Sequence, residues 1–443
     1  MAEPLSTRAK LQARNPLPEG TLAVGVGLVI AGITSYGFLS VAKHALGEDR
    51  YSPLALLWTL VFLVGPGFFL PVEQEVSRAL AERRAQGLGG GPLVKRAAML
   101  AGGLLAALLL TLAATSSLLA EHFFNGSYLL VVGLALALIG VSAGHLARGT
   151  CSAQGRFRPY AVFLAVDGIV RMGLCVVLAV AGVESAGLYG LAVGVSPIIA
   201  VLVALAPERG LLVDGPPAGW KEVSAALGVL LAGSVLSFTL VNGGPPAIRI
   251  LGHSTDEAAA GTFTNALLIG RIPLFLFQAV QAALLPRLSA LAGSGQFDEF
   301  RAGLKRLLIV TAVLGIGAAA GSWLLGPFVV QKMFGDDVDH RTLGLLGIGC
   351  GAYMVALALA QAVIALGGHR FVAMAWGVGV AAFVVVTGVG AHELFFRVEL
   401  GLAAGSVASV GAMAVALRTR LRSGATLDEG NLVEALHQLP FDA

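Results

Sequence analysis

Runs of about twenty apolar residues recur along the whole of this 443-residue sequence, and each is long enough to cross a bilayer as an α-helix. No other feature narrows the fold so far, because in lipid the backbone N–H and C=O groups must bond one another, as they do within a helix. Composition agrees: 56% of residues are hydrophobic and 12% charged, with a mean hydropathy of +0.84, against about a quarter charged in an ordinary soluble domain. The chain reads as an all-α polytopic membrane protein.

Twelve transmembrane helices are expected, over residues 21–43, 54–70, 97–119, 128–146, 160–182, 186–205, 223–241, 258–285, 307–330, 342–366, 371–389 and 401–417. Lys and Arg orient them, since short cytoplasmic loops collect positive charge. With both termini cytoplasmic, 21 of the 29 basic residues fall on inner segments, 6 on outer ones, and 2, Arg171 and Arg271, inside spans. The most loop-like break, PERGLLVDGPPAG at Pro207 to Gly219, follows six spans. The expected organisation is a cytoplasmic leader over 1–19, an N-lobe over 20–206, a linker over 207–222, a C-lobe over 223–418 and a cytoplasmic tail over 419–443.

The two halves repeat each other. Ala153, Gly155, Arg158 and Ala161 return as Ala365, Gly367, Arg370 and Ala373, all 212 residues on, and GLAVG at Gly190 returns 211 residues on as GLAAG at Gly401. Six spans per copy is an even number, so the copies share one orientation. Two parallel six-helix repeats, related by an axis along the membrane normal, would enclose a central cavity.

Within that frame a charge inside a span is a functional candidate, because it costs a few kcal/mol unless it faces protein or water. Arg271 lies about ten residues into AGTFTNALLIGRIPLFLFQAVQAALLPRLSAL, and its planar guanidinium suits phosphate or carboxylate in a cavity between the lobes. Pro273 follows it and would break the helical ladder, giving a bend that could gate the cavity. Asp167 and Arg171 sit four apart in the fifth span and can pair, either as a structural ion pair or as a coupling-ion or substrate site. Asn242, Asn265, Gln278 and Gln281 supply amides of the kind that bind sugar hydroxyls or join helices.

Other chemistry is not expected. Cys151, Cys175 and Cys350 form no CxxC pair and read as buried small hydrophobes. GLGGG at Gly87 to Gly91 lacks the lysine of a phosphate loop, and the glycines of GIGAAAG, GLAVG and GLAAG read as helix-packing positions. No catalytic residues, metal, cofactor or nucleic-acid partner are expected.

Several stretches resemble the multidrug/oligosaccharidyl-lipid/polysaccharide (MOP) exporter superfamily: PVEQEVSRALA from Pro71, RGTCSAQGRFRPY from Arg148, DGIVR from Asp167, and above all the stretch around Arg271. Within it, the chain looks most like the polysaccharide-biosynthesis flippases that move undecaprenyl-pyrophosphate-linked oligosaccharides. The resemblance implies two lobes that rock between inward and outward states, with Arg271 and Arg171 on the pyrophosphate path and the four amides near the sugars. It implies a monomeric, multi-pass, non-enzymatic transporter of a bacterial inner membrane, whose partners are the bilayer, the lipid-linked glycan and glycan polymerases or glycosyltransferases. The alternatives are a cation-coupled multidrug-type exporter of small amphiphiles and a membrane glycosyltransferase or polymerase of cell-wall glycans.

Overall fold

The computed structural model describes residues 21–224, 227–252, 258–274, 277, 296–389 and 393–422. Among them every regular element is helical: α1 (Thr21–Leu46), α2 (Glu48–Ala85), α3 (Gly91–Ala114), α4 (Ser116–Phe123), α5 (Tyr128–Ala153), α6 (Phe157–Val180), α7 (Ala186–Leu205), α8 (Trp220–Ser224), α9 (Leu227–Asn242), α10 (Gly244–Leu251), α11 (Ala259–Gly270), α12 (Phe297–Phe334), α13 (His340–Ala365), α14 (His369–Val389) and α15 (Leu394–Arg422). Eleven helical stretches are long and apolar enough to cross a membrane, one of them, Trp220–Asn242, running through both α8 and α9. Large apolar side chains such as Leu110, Val180 and Val389 stay exposed, which a bilayer tolerates and water does not. The fold is that of a multi-pass membrane protein.

The eighth expected span is the informative exception. Within the described part of that span, α11 is a twelve-residue helix that stops at Gly270, Arg271 is its C-cap at φ −97°, ψ −4°, and helical geometry resumes over residues 272–274. Arg271 N–H bonds to Leu268 O at 3.1 Å and Leu274 N–H to Arg271 O at 2.9 Å, so the ladder tightens to three-residue spacing at this point. Pro273 explains the break: it has no N–H to give Ile269 O, and its ring crowds that carbonyl. Other helices overrun their expected ends. The second span, expected over 54–70, continues to Ala85, so Glu73 and Glu75 are helical and buried rather than in a loop. The last span begins at Leu394 rather than near 401, which takes Glu399 into its second turn.

The chain divides into two compact units, Met1–Ala45 with Phe69–Leu227, and Leu46–Phe68 with Gly228–Ala443. In the first, α7 packs on both α5 and α6, and α3 on α5. Backbones approach closely where glycines meet: a Cβ added to Gly194 would lie 2.6 Å from Gly133 O. In the second, α15 packs on both α13 and α14, while α12 and α11 pack on α13. There a Cβ on Gly405 would lie 2.7 Å from Gly379 O. Helices α5 and α13 are both 26 residues long and begin 212 residues apart, at Tyr128 and His340. The offset seen between sequence matches is thus also the offset between equivalent helices with equivalent packing partners.

Candidate functional site

Two polar sites lie within the helices, one in each unit. In the first unit, α6 places Asp167 and Arg171 one turn apart, and Arg171 Nη1 donates to Asp167 Oδ2 at 2.9 Å. The pair does not stand alone. Ser196 Oγ, on α7, donates to Asp167 Oδ1 at 2.7 Å, and Arg171 Nη2 donates to Ser35 Oγ, on α1, at 3.0 Å. One ion pair therefore fastens three helices at their centres. The Arg171 side chain is 5% exposed and the Asp167 side chain 20% exposed, so the carboxylate is the member that remains within reach of solvent. An isolated charge here would be costly; the bonds to both carboxylate oxygens make it tenable.

In the second unit, Arg271 Nη1 donates to the amide oxygen of Asn242 at 3.0 Å. The break in α11 is what lets Arg271 meet α9, since it sits in a turn rather than on a helix face. Asn242 Nδ2 donates in turn to Phe238 O at 3.0 Å. Nearby, Ser237 and Tyr353 share a hydrogen bond of 2.7 Å, and the Tyr353 phenol and Cys350 thiol both lie within the field of Arg271. A guanidinium, an amide and two hydroxyls thus gather where α9, α11 and α13 converge. This donor set is suited to an anionic or hydroxyl-rich ligand.

Asn265 belongs to a different cluster. Its Oδ1 accepts from Tyr51 at 2.5 Å and its Nδ2 donates to Asp336 Oδ2 at 2.7 Å, while Thr262 donates to Asp336 Oδ1 at 3.0 Å. Its side chain has no exposed surface, so as placed the amide serves the protein itself. Gln278 and Gln281 lie outside the described residues.

Asp167 is the acid that the sequence patterns bring forward, and they pass over the buried Glu73 and Glu399. Glu73 Oε2 accepts from Arg148 Nε at 3.1 Å and Nη2 at 2.9 Å and lies 2.7 Å from His145 Nδ1, while Glu73 Oε1 accepts from Tyr160 at 3.1 Å. Arg148 also stacks over the rings of Tyr160 and Phe163. Glu399 has no exposed surface either, and neither of its carboxyl oxygens has a hydrogen-bond partner. A period-based search sees only that each acid adjoins an apolar run.

No family model matches the sequence, and no curated protein matches it. Solved structures do. An outward-facing multidrug resistance MATE family transporter of the MOP superfamily aligns with TM-score 0.66 and 13% identity over 91% of this chain and 94% of its own. An inward-facing member aligns with TM-score 0.63 and 14% identity over 94% and 98%. The Vibrio cholerae MATE transporter VcmN in its bent form gives TM-score 0.63 and 15% identity over 93% and 98%. Over nine-tenths of its length, this chain has the fold of the MATE transporters, members of the MOP superfamily.

Proposed function

We propose that this chain is a cation-coupled membrane transporter that exports amphiphilic organic molecules by alternating access. The observation that carries the reading is the shared fold, whose solved examples are described as multidrug resistance transporters and occur in inward-facing and outward-facing conformations. This exchanges the order of the two transport readings drawn from the sequence. The glycosyltransferase alternative draws no support from such neighbours.

Asp167 is the proposed coupling group. A proton or small cation arriving at its partly exposed carboxylate competes with Arg171 for Oδ2. Losing that bond leaves Arg171 Nη2 bonded to Ser35 of α1, so occupancy of one carboxylate changes what holds α1 to α6. By linkage, a substrate that favours the state in which Asp167 is paired with Arg171 releases the cation, by the same coupling energy with which the cation disfavours the substrate. The test is proton release on adding a fluorescent organic cation to purified protein in weakly buffered detergent solution. Release is expected from wild type and absent in Asp167→Asn; equal release from both would remove Asp167 from the coupling step.

One observation favours the lipid-linked glycan as a second reading. Arg271, Asn242, Ser237 and Tyr353 form a donor set suited to pyrophosphate and sugar hydroxyls. A fluorescent undecaprenyl-pyrophosphate oligosaccharide reaching the opposite leaflet of proteoliposomes with wild type, and not with Arg271→Ala, would establish that reading. No transfer by wild type would remove it.

A further inference from the structure

Glu399 has no place in either candidate site, yet it is the most anomalous charge-bearing group described. It is fully enclosed, with both carboxyl oxygens lacking a hydrogen-bond partner. The other buried acids described have partners: Glu73 has Arg148, Tyr160 and His145, Glu75 has Arg78, and Asp336 has Thr262 and Asn265.

Its surroundings explain why no neighbour neutralises it. The groups facing Glu399 are Arg341 and Asp339 at the head of α13, Glu393 just before α15, and the Thr342 hydroxyl, which lies near enough to favour the charged form without meeting hydrogen-bond geometry to either oxygen. Arg341 is already engaged: Nη1 donates to Glu393 Oε2 at 2.9 Å and Nε lies 3.6 Å from Asp339 Oδ2. Asp339 caps α13 by accepting the Thr342 N–H at 2.9 Å. The other helices against α15 bring no charge: Phe263 of α11 meets Phe395 edge to face, α14 turns the Phe383 ring and the Thr387 hydroxyl towards Gly401, and Leu402 lies close to Gly244 of α10. Arg397 lies two residues away on α15 itself.

A carboxylate removed from water with neither a hydrogen bond nor its own cation costs several kcal/mol, and such a group takes up a proton instead. A metal ion would need several oxygen ligands, and no group of three His, Cys, Asp or Glu side chains able to hold one occurs among the described residues. We propose that Glu399 is a proton-binding site: it holds a proton while the heads of α13 and α15 are packed together, and releases it when that packing opens. The step is a proton transfer alone. The carboxyl O–H bond breaks, water entering the opened contact accepts the proton, and the carboxylate left behind gains Arg341 as its nearest cation. Glu399 would then titrate independently of Asp167, in the other unit. Its use as a driving proton rests on the transport reading; its protonation does not.

Infrared spectra of the full-length protein in nanodiscs, recorded through a pH titration, test the protonation directly. Wild type should show a protonated-carboxyl C=O stretch at the high-frequency side expected without hydrogen bonds. That band should vanish in Glu399→Gln, persist in Asp167→Asn, and shift rather than vanish in Glu399→Asp. Because Gln is neutral in both states whereas an unfolded glutamate ionises above about pH 4, Glu399→Gln should match the thermal midpoint of wild type below that pH and lack its decline as pH rises above it. Identical C=O bands in wild type and Glu399→Gln, or a Glu399→Gln protein much less stable than wild type at every pH, would overturn the proposal. If the band behaves as expected but a fluorescent cation is not transported, the transport reading fails and the proton site stands.

Discussion

Arg171 and Arg271 carry the same group into the same kind of span, but their neighbours give them different work. Arg171 donates to the carboxylate of Asp167, and Arg271 donates to the neutral amide of Asn242. Arg171→Ala should therefore destabilise the protein by about 3–5 kcal/mol, because it leaves a carboxylate within the helices without its cation. Thermal unfolding would read this, and Asp167→Asn/Arg171→Ala together should recover part of the loss. Glu73→Gln strips Arg148 of its anion in the same way and should lower the unfolding midpoint comparably, by about 3–5 kcal/mol. The first pair is legible in sequence because its members stand four apart on one helix. The second is not, because the partners of Glu73 lie 72, 75 and 87 residues away, at His145, Arg148 and Tyr160, and only the tertiary fold brings them together.

Among the elements, α11 and α13 show what local chemistry fixes. A proline at 273 announces a bend, but hydropathy runs unbroken through it, so the expected span continues where the helix stops. Pro273→Ala should restore the ladder and draw Arg271 away from Asn242, weakening whatever function that contact serves while leaving expression intact. Helix α13 starts on an N-cap, with Asp339 accepting the Thr342 N–H. Asp339→Ala should cost about 1 kcal/mol and Asp339→Asn less, since Asn caps nearly as well. Burial alone would raise the Asp339 pKa, but hydrogen bonds from the Thr342 side chain and backbone, with Arg341 beside it, hold it below its ordinary value. The sign follows: the ionised cap contributes fully above the ordinary aspartate value of about 4 and is lost as pH falls through the lower folded value. A stability titration should show wild type and Asp339→Asn a constant distance apart above that acidic window and closing up within it.

For the molecule as a whole, the duplication was the strongest sequence signal, because glycine positions and helix starts carry one register through the chain. Helices α5 and α13 begin 212 residues apart, and each packs against the third helix of its set, α7 or α15. What the sequence could not rank was the cargo. The resemblance to lipid-linked glycan flippases rests on patterns common to a superfamily, and two of the solved structures of this fold are described as multidrug resistance transporters. The most direct measurement is therefore transport itself: wild type and Asp167→Asn in proteoliposomes loaded with a fluorescent organic cation, with a proton or sodium gradient imposed in turn. The account predicts gradient-dependent dye movement by wild type, at least tenfold reduced in Asp167→Asn, a loss of about 1.4 kcal/mol of coupling. Dye movement that ignores both gradients, or that is unchanged by Asp167→Asn, would contradict it.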